Sequence, residues 1–222
     1  MTETAKVAAQ PSTGLAASLR RGIVAERRSG LIVSLLLIPA ILATNLIYDS
    51  LNHGPNRIFL ETPLDRALPV VPIFAVPYVS LIPYIGVSLL AFMFVRVRIY
   101  RSAALTMLIV WFISYGFYIF LQSYIARPHI TGTDAFSSMI RSIYAADQPY
   151  NDFPSLHTSL STIIAMHWWR FDRRIGIAAA IWTALIVAST VLVKQHYIAD
   201  VAGGLALAVV TSLFVMRVTR VG

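Results

Sequence analysis

Residues 173–217 read RRIGIAAAIWTALIVASTVLVKQHYIADVAGGLALAVVTSLFVMR. Two apolar runs, 175–193 and 197–216, are each close to the roughly 20 residues with which a helix crosses a hydrocarbon core. Arg173, Arg174 and Arg217 stand at the outer ends of the pair, and the break between the runs holds Lys194, Gln195 and His196. Toward the N-terminus the pattern recurs at 31–48, 67–95, 102–126 and 156–169. The chain is therefore expected to be all-α, a polytopic membrane protein with six transmembrane helices in one bundle. The fourth run is short at its apolar core, but polar residues just upstream fit at membrane depth if they face other helices.

Composition agrees. Of 222 residues, 57% are hydrophobic and 13% charged, about half the charged share of a soluble domain, and the mean hydropathy is +0.70. A soluble domain, a disordered chain and a fibrous repeat are excluded. The net charge of +8 comes from basic residues flanking apolar runs, which reads as membrane topology and not as a nucleic-acid surface. With no cysteine there is no disulfide, no thiolate metal site and no thiol nucleophile.

Lys and Arg also set an orientation. If residues 1–30 form a cytoplasmic tail ahead of a 31–222 membrane domain, the inside set has five in the tail, three at Arg96, Arg98 and Arg101, three at Arg170, Arg173 and Arg174, and two at Arg217 and Arg220. The other side holds Arg57, Arg66, Arg127, Arg141 and Lys194. This is the positive-inside bias, with both termini cytoplasmic in a cell membrane. Pro69, Pro72, Pro77 and Pro83 should bend or unwind the second run, and the charged and apolar mixture at 49–66 reads as a short amphipathic segment on the outer face.

The remaining polar residues gather on that outer side at 126–161 and 189–204. His196 and Asp200 are four apart, so on a helix they share a face; the carboxylate accepts the imidazole N–H and leaves the other ring nitrogen free to attack. A structural His–Asp pair would read the same way. Pro154, Ser155, Leu156 and His157 precede the fourth helix, with Asp152 and Ser155 available as N-caps and the proline suited to the first turn. Such a helix start offers an anion its free N–H groups, and His157 a proton for a departing oxygen, or it is an ordinary cap. Arg127, at the outer end of the third helix, either snorkels to headgroups or grips a phosphate. His167, beside Trp168 and Trp169, reads as part of an interfacial aromatic belt, and His53 and His129 as loop residues.

These pieces, in this order, resemble the type 2 phosphatidic acid phosphatase superfamily. Its signatures are a lysine followed after six residues by Arg-Pro, then Pro-Ser-Gly-His, then Ser-Arg with five residues before a His and an Asp four later. Here Arg127 and Pro128 match, with Phe120 at the lysine position; Pro154, Ser155 and His157 match, with Leu156 for glycine; Ser189, His196 and Asp200 match, with Thr190 for arginine. Phe-Pro-Ser-Leu-His with Lys-Gln-His-Tyr-Ile-Ala-Asp is similar to the branch that includes inositol phosphorylceramide synthases. The resemblance spans roughly 65–216.

It implies a metal-independent, cofactor-free lipid phosphatase or phosphotransferase acting on a lipid phosphate or pyrophosphate at the outer face. His196 would form a phosphohistidine, Asp200 would orient it and His157 would protonate the leaving group. Arg127, Ser155 and backbone N–H groups near Leu156 would hold the phosphate, and water or an alcohol such as inositol would accept it. Two family cations are missing, and Lys194, one turn after Thr190 if that helix continues, is expected to replace the arginine. A small transporter and an inactive membrane scaffold remain as readings of another class.

Overall fold

A computed structural model describes residues 28–54 and 58–221, so residues 1–27 of the expected tail and Arg57 lie outside the described residues. In chain order the helices are α1 (Arg28–Leu51), α2 (Pro63–Ala67), a 3₁₀ turn (Pro72–Phe74), α3 (Ala75–Val79), α4 (Leu81–Val95), α5 (Val97–Phe120), α6 (Ala135–Ala146), α7 (Leu156–Phe171), α8 (Arg173–Leu192) and α9 (Ile198–Val218). All six apolar runs are helical, and the second is broken as its prolines require. Pro72 opens the 3₁₀ turn, α3 ends at Ser80, and the Ser80 hydroxyl donates to Pro77 O at 2.7 Å.

Among the described residues, four stretches are long and apolar enough to cross a membrane: Pro72–Val95, Val97–Phe120, Arg173–Leu192 and Ile198–Val218. A shorter apolar stretch, Leu36–Leu51, lies in α1. Ile82, Phe112, Ile181, Val210 and Phe214 are exposed along these elements, an apolar belt compatible with a membrane protein.

α7, 16 residues long, packs against α4, α5, α8 and α9. That position explains its polarity, because its hydroxyls satisfy themselves or neighbouring helices instead of facing lipid. Ser159 Oγ donates to Gly204 O at 2.9 Å, and Thr183 Oγ1 of α8 donates to Ser161 O at 3.0 Å. His167 is not in a surface belt: it is fully buried, with Nδ1 2.8 Å from Ile163 O and Nε2 3.1 Å from Ser102 Oγ of α5.

The α4–α5 turn at Arg96, the α7–α8 turn at Asp172 and the end of α9 collect the arginines at one end of the bundle. A cap of loops and short helices covers the other. The amphipathic helix of that cap is not at 49–66, where α1 runs on to Leu51 and only the five-residue α2 follows. It is α6, inside what the sequence suggests is a loop. Asp134 caps it by accepting from Phe136 N and Ser137 N, and it buries Ser137, Ile140 and Ile143. The cap is tied to itself by backbone bonds from Ile58 N to Gln122 O and from Tyr124 N to Ile58 O, both 3.0 Å.

Candidate active site

The α8–α9 connection is built to present one residue. α8 stops in a Schellman turn: Gln195 N reaches Thr190 O at 2.9 Å, Lys194 N reaches Val191 O at 3.2 Å, and Lys194 takes the left-handed conformation at φ 56°. Glycine usually fills that position. Two residues later α9 begins, with Tyr197 as N-cap and Asp200 in its first turn; Asp200 Oδ2 accepts Tyr197 N at 2.7 Å. His196 is held between the two helix ends. It therefore shares no helical turn with Asp200, but the cap still brings Nδ1 to 3.6 Å from Asp200 Oδ2, too long for a hydrogen bond and within ion-pair range. Nδ1 and Asp200 Oδ1 are both buried without a partner.

The one-turn relation between Thr190 and Lys194 fails because α8 ends at Leu192. Lys194 Nζ instead donates to Asp65 O and Leu68 O, both at 2.7 Å, at the end of α2. Asp65 Oδ1 in turn accepts Ile198 N at 2.8 Å. Lys194 clamps the turn, and its ammonium is spent on carbonyls.

His157 sits in the first turn of α7, capped by Ser155, whose Oγ accepts from Thr158 N. Pro154 and Asp152 lie before this cap, so neither is the first-turn proline nor the N-cap. Close packing of α9 brings this helix start to His196. Ser155 N donates to Asp200 O at 3.0 Å, and a Cβ on Gly204 would stand 2.5 Å from Ser155 O, so only glycine fits there. The His157 and His196 rings are 6.0 Å apart between centroids. Tyr78 of α3 stacks on His157 at 4.1 Å and 18°; the prolines around it give the sequence's only signal for that contact.

Arg127 is half-buried at the centre of the cap. Nη1 donates to Asp147 O at 2.6 Å and Tyr144 O at 3.4 Å, Nη2 to Gln148 O at 3.2 Å and Gln195 Oε1 at 2.7 Å. The guanidinium thus neutralises the C-terminal carbonyls of α6, and only Nε is left without a partner. It does not present the open fork expected of a phosphate clamp. The family's other cation positions hold nothing charged: Phe120 is 78% exposed on the outside of α5, and Thr190 is buried with its hydroxyl on Val187 O.

Beside these residues lies a cavity of about 470 Å³. Its polar end is lined by His157, His196, Gln195, Asn151, Asp152 and Asp147, and its apolar length runs along α4 from Leu81 to Met93. Twelve helical steps make that length about 18 Å. α1 and α4 both pack on α5 and scarcely on each other, so the side of the cavity between them is lined by the exposed Ile82, Leu90 and Leu42. Asp147 Oδ1 accepts from Asn52 Nδ2 at 2.6 Å and Tyr48 Oη at 3.2 Å. Burial holds the Asp147 carboxyl above its usual range, with Arg127 pulling the other way. Burial and then the neighbouring Asp200 push Asp152 well above its usual range. Among the described residues no group of three or more His, Asp or Glu side chains is disposed to hold a metal ion.

His157 and His196 thus line one cavity in an α-helical bundle, with Asp200 and the Ser155-capped helix start beside them. The family model described as the PAP2 superfamily matches residues 56–214, and the chain belongs to that superfamily. Its members' chemistry points to a phosphatase or phosphotransferase. No curated protein and no solved structure matches the chain.

Proposed function

We propose that the chain is an integral membrane enzyme that removes or transfers the phosphoryl group of a lipid phosphate or pyrophosphate through a phosphohistidine at His196. The observation that carries this reading is the cavity, polar at His157 and His196 and apolar for about 18 Å beyond, a match for a charged head on a hydrocarbon tail. His196 Nε2, on the ring edge away from Asp200, attacks phosphorus as the bond to the lipid oxygen breaks. His157 gives that oxygen its proton. Water then returns a proton to His157 and attacks the phosphohistidine, releasing phosphate and free His196.

The likeness to inositol phosphorylceramide synthases supports headgroup transfer as the alternative: a phospholipid donor leaves its headgroup phosphate on His196 as the bond to the lipid oxygen breaks, and an alcohol then takes it as a phosphodiester while giving its proton to His157. Asp200 stabilises the positive charge on the His196 ring. Arg127 Nε, Ser155 and the first-turn N–H groups at Leu156 and His157, which have no intrahelical carbonyl, stabilise charge on the non-transferring oxygens. The reaction needs no metal in this scheme. The six helical runs would each cross a cell membrane, with the arginine-rich end cytoplasmic and the cap on the other face; reporter fusions at the α5–α7 cap and at the C-terminus test that orientation.

Activity is tested by phosphate release from lipid phosphates and pyrophosphates by detergent-purified protein, beside His196→Ala, with inositol or glycerol added in parallel and with chelator present. Release that survives chelation and vanishes in His196→Ala is expected. A new ester formed only with the alcohol would assign transfer, and release unchanged in His196→Ala would sink the scheme.

A further inference from the structure

Two carboxamides line the polar end of the cavity, and among the described residues nothing bonds their NH₂ groups. Asn151 and Gln195 are each 2% exposed, and Asn151 Nδ2 and Gln195 Nε2 are buried without a partner. Their orientation is fixed by the groups that hold their oxygens. Gln195 Oε1 accepts from Arg127 Nη2 at 2.7 Å, and a guanidinium has only donors, so the NH₂ must point away from it. Asn151 Oδ1 accepts from Gln122 Nε2 at 3.0 Å, and that same nitrogen donates to Leu51 O at 2.8 Å and His53 O at 3.2 Å. Two carbonyl acceptors identify it as the amide NH₂ and not the oxygen, and the Asn151 NH₂ is turned away in turn. Asn151 also stands at φ 60°, a left-handed conformation that asparagine tolerates better than most residues.

Buried amide donors are almost always satisfied, and here both flank the histidines His157 and His196 in one cavity. We propose that Asn151 and Gln195 are substrate-binding groups that donate N–H to the non-transferring oxygens of the substrate phosphoryl group, in place of the cations absent at positions 120 and 190. This deepens the phosphohistidine reading and rests on it. Arg127 contributes through Gln195: its hydrogen bond to Oε1 polarises the amide and strengthens the opposite N–H as a donor. The guanidinium is thus a positioning residue for Gln195 as well as a donor through its one unengaged N–H. Neutral donors also suit a site that already carries Asp147, Asp152 and Asp200, since they hold an oxyanion while adding no charge for those carboxyls to capture.

The test is binding of orthovanadate and inorganic phosphate, followed by thermal protection and by inhibition of turnover, to the full chain and to Gln195→Glu, Asn151→Asp and His196→Ala. Both amide variants keep the oxygen that faces Arg127 or Gln122 and replace only the NH₂; the buried carboxyl each gains lowers the unligated melting temperature at neutral pH, so binding is compared at a temperature where every variant is folded. They are expected to bind orthovanadate at least tenfold more weakly and to lose kcat/KM by a larger factor, while His196→Ala loses turnover and still binds phosphate. Amide variants that bind and turn over like the unsubstituted chain, beside an inactive His196→Ala, would overturn the amide assignment alone. Full turnover in His196→Ala would overturn the phosphohistidine reading whatever the amides do, and absence of any oxyanion binding by the unsubstituted chain would overturn both.

Discussion

The turn at 193–200 and the cap segment at 121–155 meet in the same cavity but are assembled in opposite ways. In the turn, backbone bonds within a few residues place His196: the Schellman closure on Thr190 O, the N-cap at Tyr197 and the Asp200 carboxylate beneath it. In the cap, long-range bonds do the work, from Gln122 to Asn151 across to α1, from Arg127 to the end of α6, and from Arg127 to Gln195. The nucleophile's setting is thus chiefly local, braced from α2 through Lys194 and Asp65, and survives in a short motif. The phosphate's setting is distributed over a hydrogen-bond network, and a change anywhere in it is felt at the site.

Removing the acid that faces the turn, His157 at the start of α7, should have the largest effect. His157→Gln is expected to lower kcat about 10²–10⁴-fold with little change in folding, measured with a lipid phosphate; a leaving group that needs no proton should recover much of the loss. On the distributed side, Gln122→Met strips the donor from Asn151, Leu51 and His53 at once. Its cost should be about 1–3 kcal/mol of stability and up to about 100-fold in kcat/KM if Asn151 swings by an ångström. A Gln122→Met enzyme with unchanged kinetics would mean that the cap only covers the site.

Lys194→Gly separates the turn's backbone from its clamp. Glycine keeps the φ 56° conformation and relieves its strain, while the bonds to Asp65 O and Leu68 O disappear. Melting in detergent should report a loss of about 1–3 kcal/mol, with a smaller kinetic defect than in His157→Gln. A phosphate-binding role for the ammonium predicts the reverse order.

The six helical runs were legible because hydropathy at helix length is a local property, and the broken second run because its four prolines are. That His196, Asp200, Ser155 and His157 come together was legible because the motifs that carry them are contiguous. Asn151, Gln195 and Tyr78 were not, since their meaning lies in partners 29, 68 and 79 positions away, at Gln122, Arg127 and His157. The one-turn relation of Lys194 to Thr190 fails for a related reason: such a spacing counts only while the helix lasts, and α8 ends at Leu192. α6 is hard to see although Asp134 marks its start, because its apolar residues lie on one face, separated along the chain by serines and Arg141, and make no continuous apolar run.

The smallest effect concerns stability and pH. Asp152 keeps its proton well above the ordinary carboxyl value of 3.8, chiefly because it is buried. The native state then holds a proton that the unfolded chain releases, so stability is highest below 3.8 and falls as pH rises through the raised native value. Asp152→Asn should therefore melt higher than the parent at neutral pH, with the gain shrinking as pH approaches 3.8. A gain that is independent of pH would point to packing instead.

The central claim is a phosphoryl group carried by His196. Incubation with a ³²P-labelled lipid phosphate, an alkaline quench and mapping of the labelled peptide test it directly. The expected result is an alkali-stable, acid-labile label on the peptide containing His196, absent in His196→Ala and dependent on Asp200. Sustained turnover with no label at His196, or label that persists in His196→Ala, would contradict it.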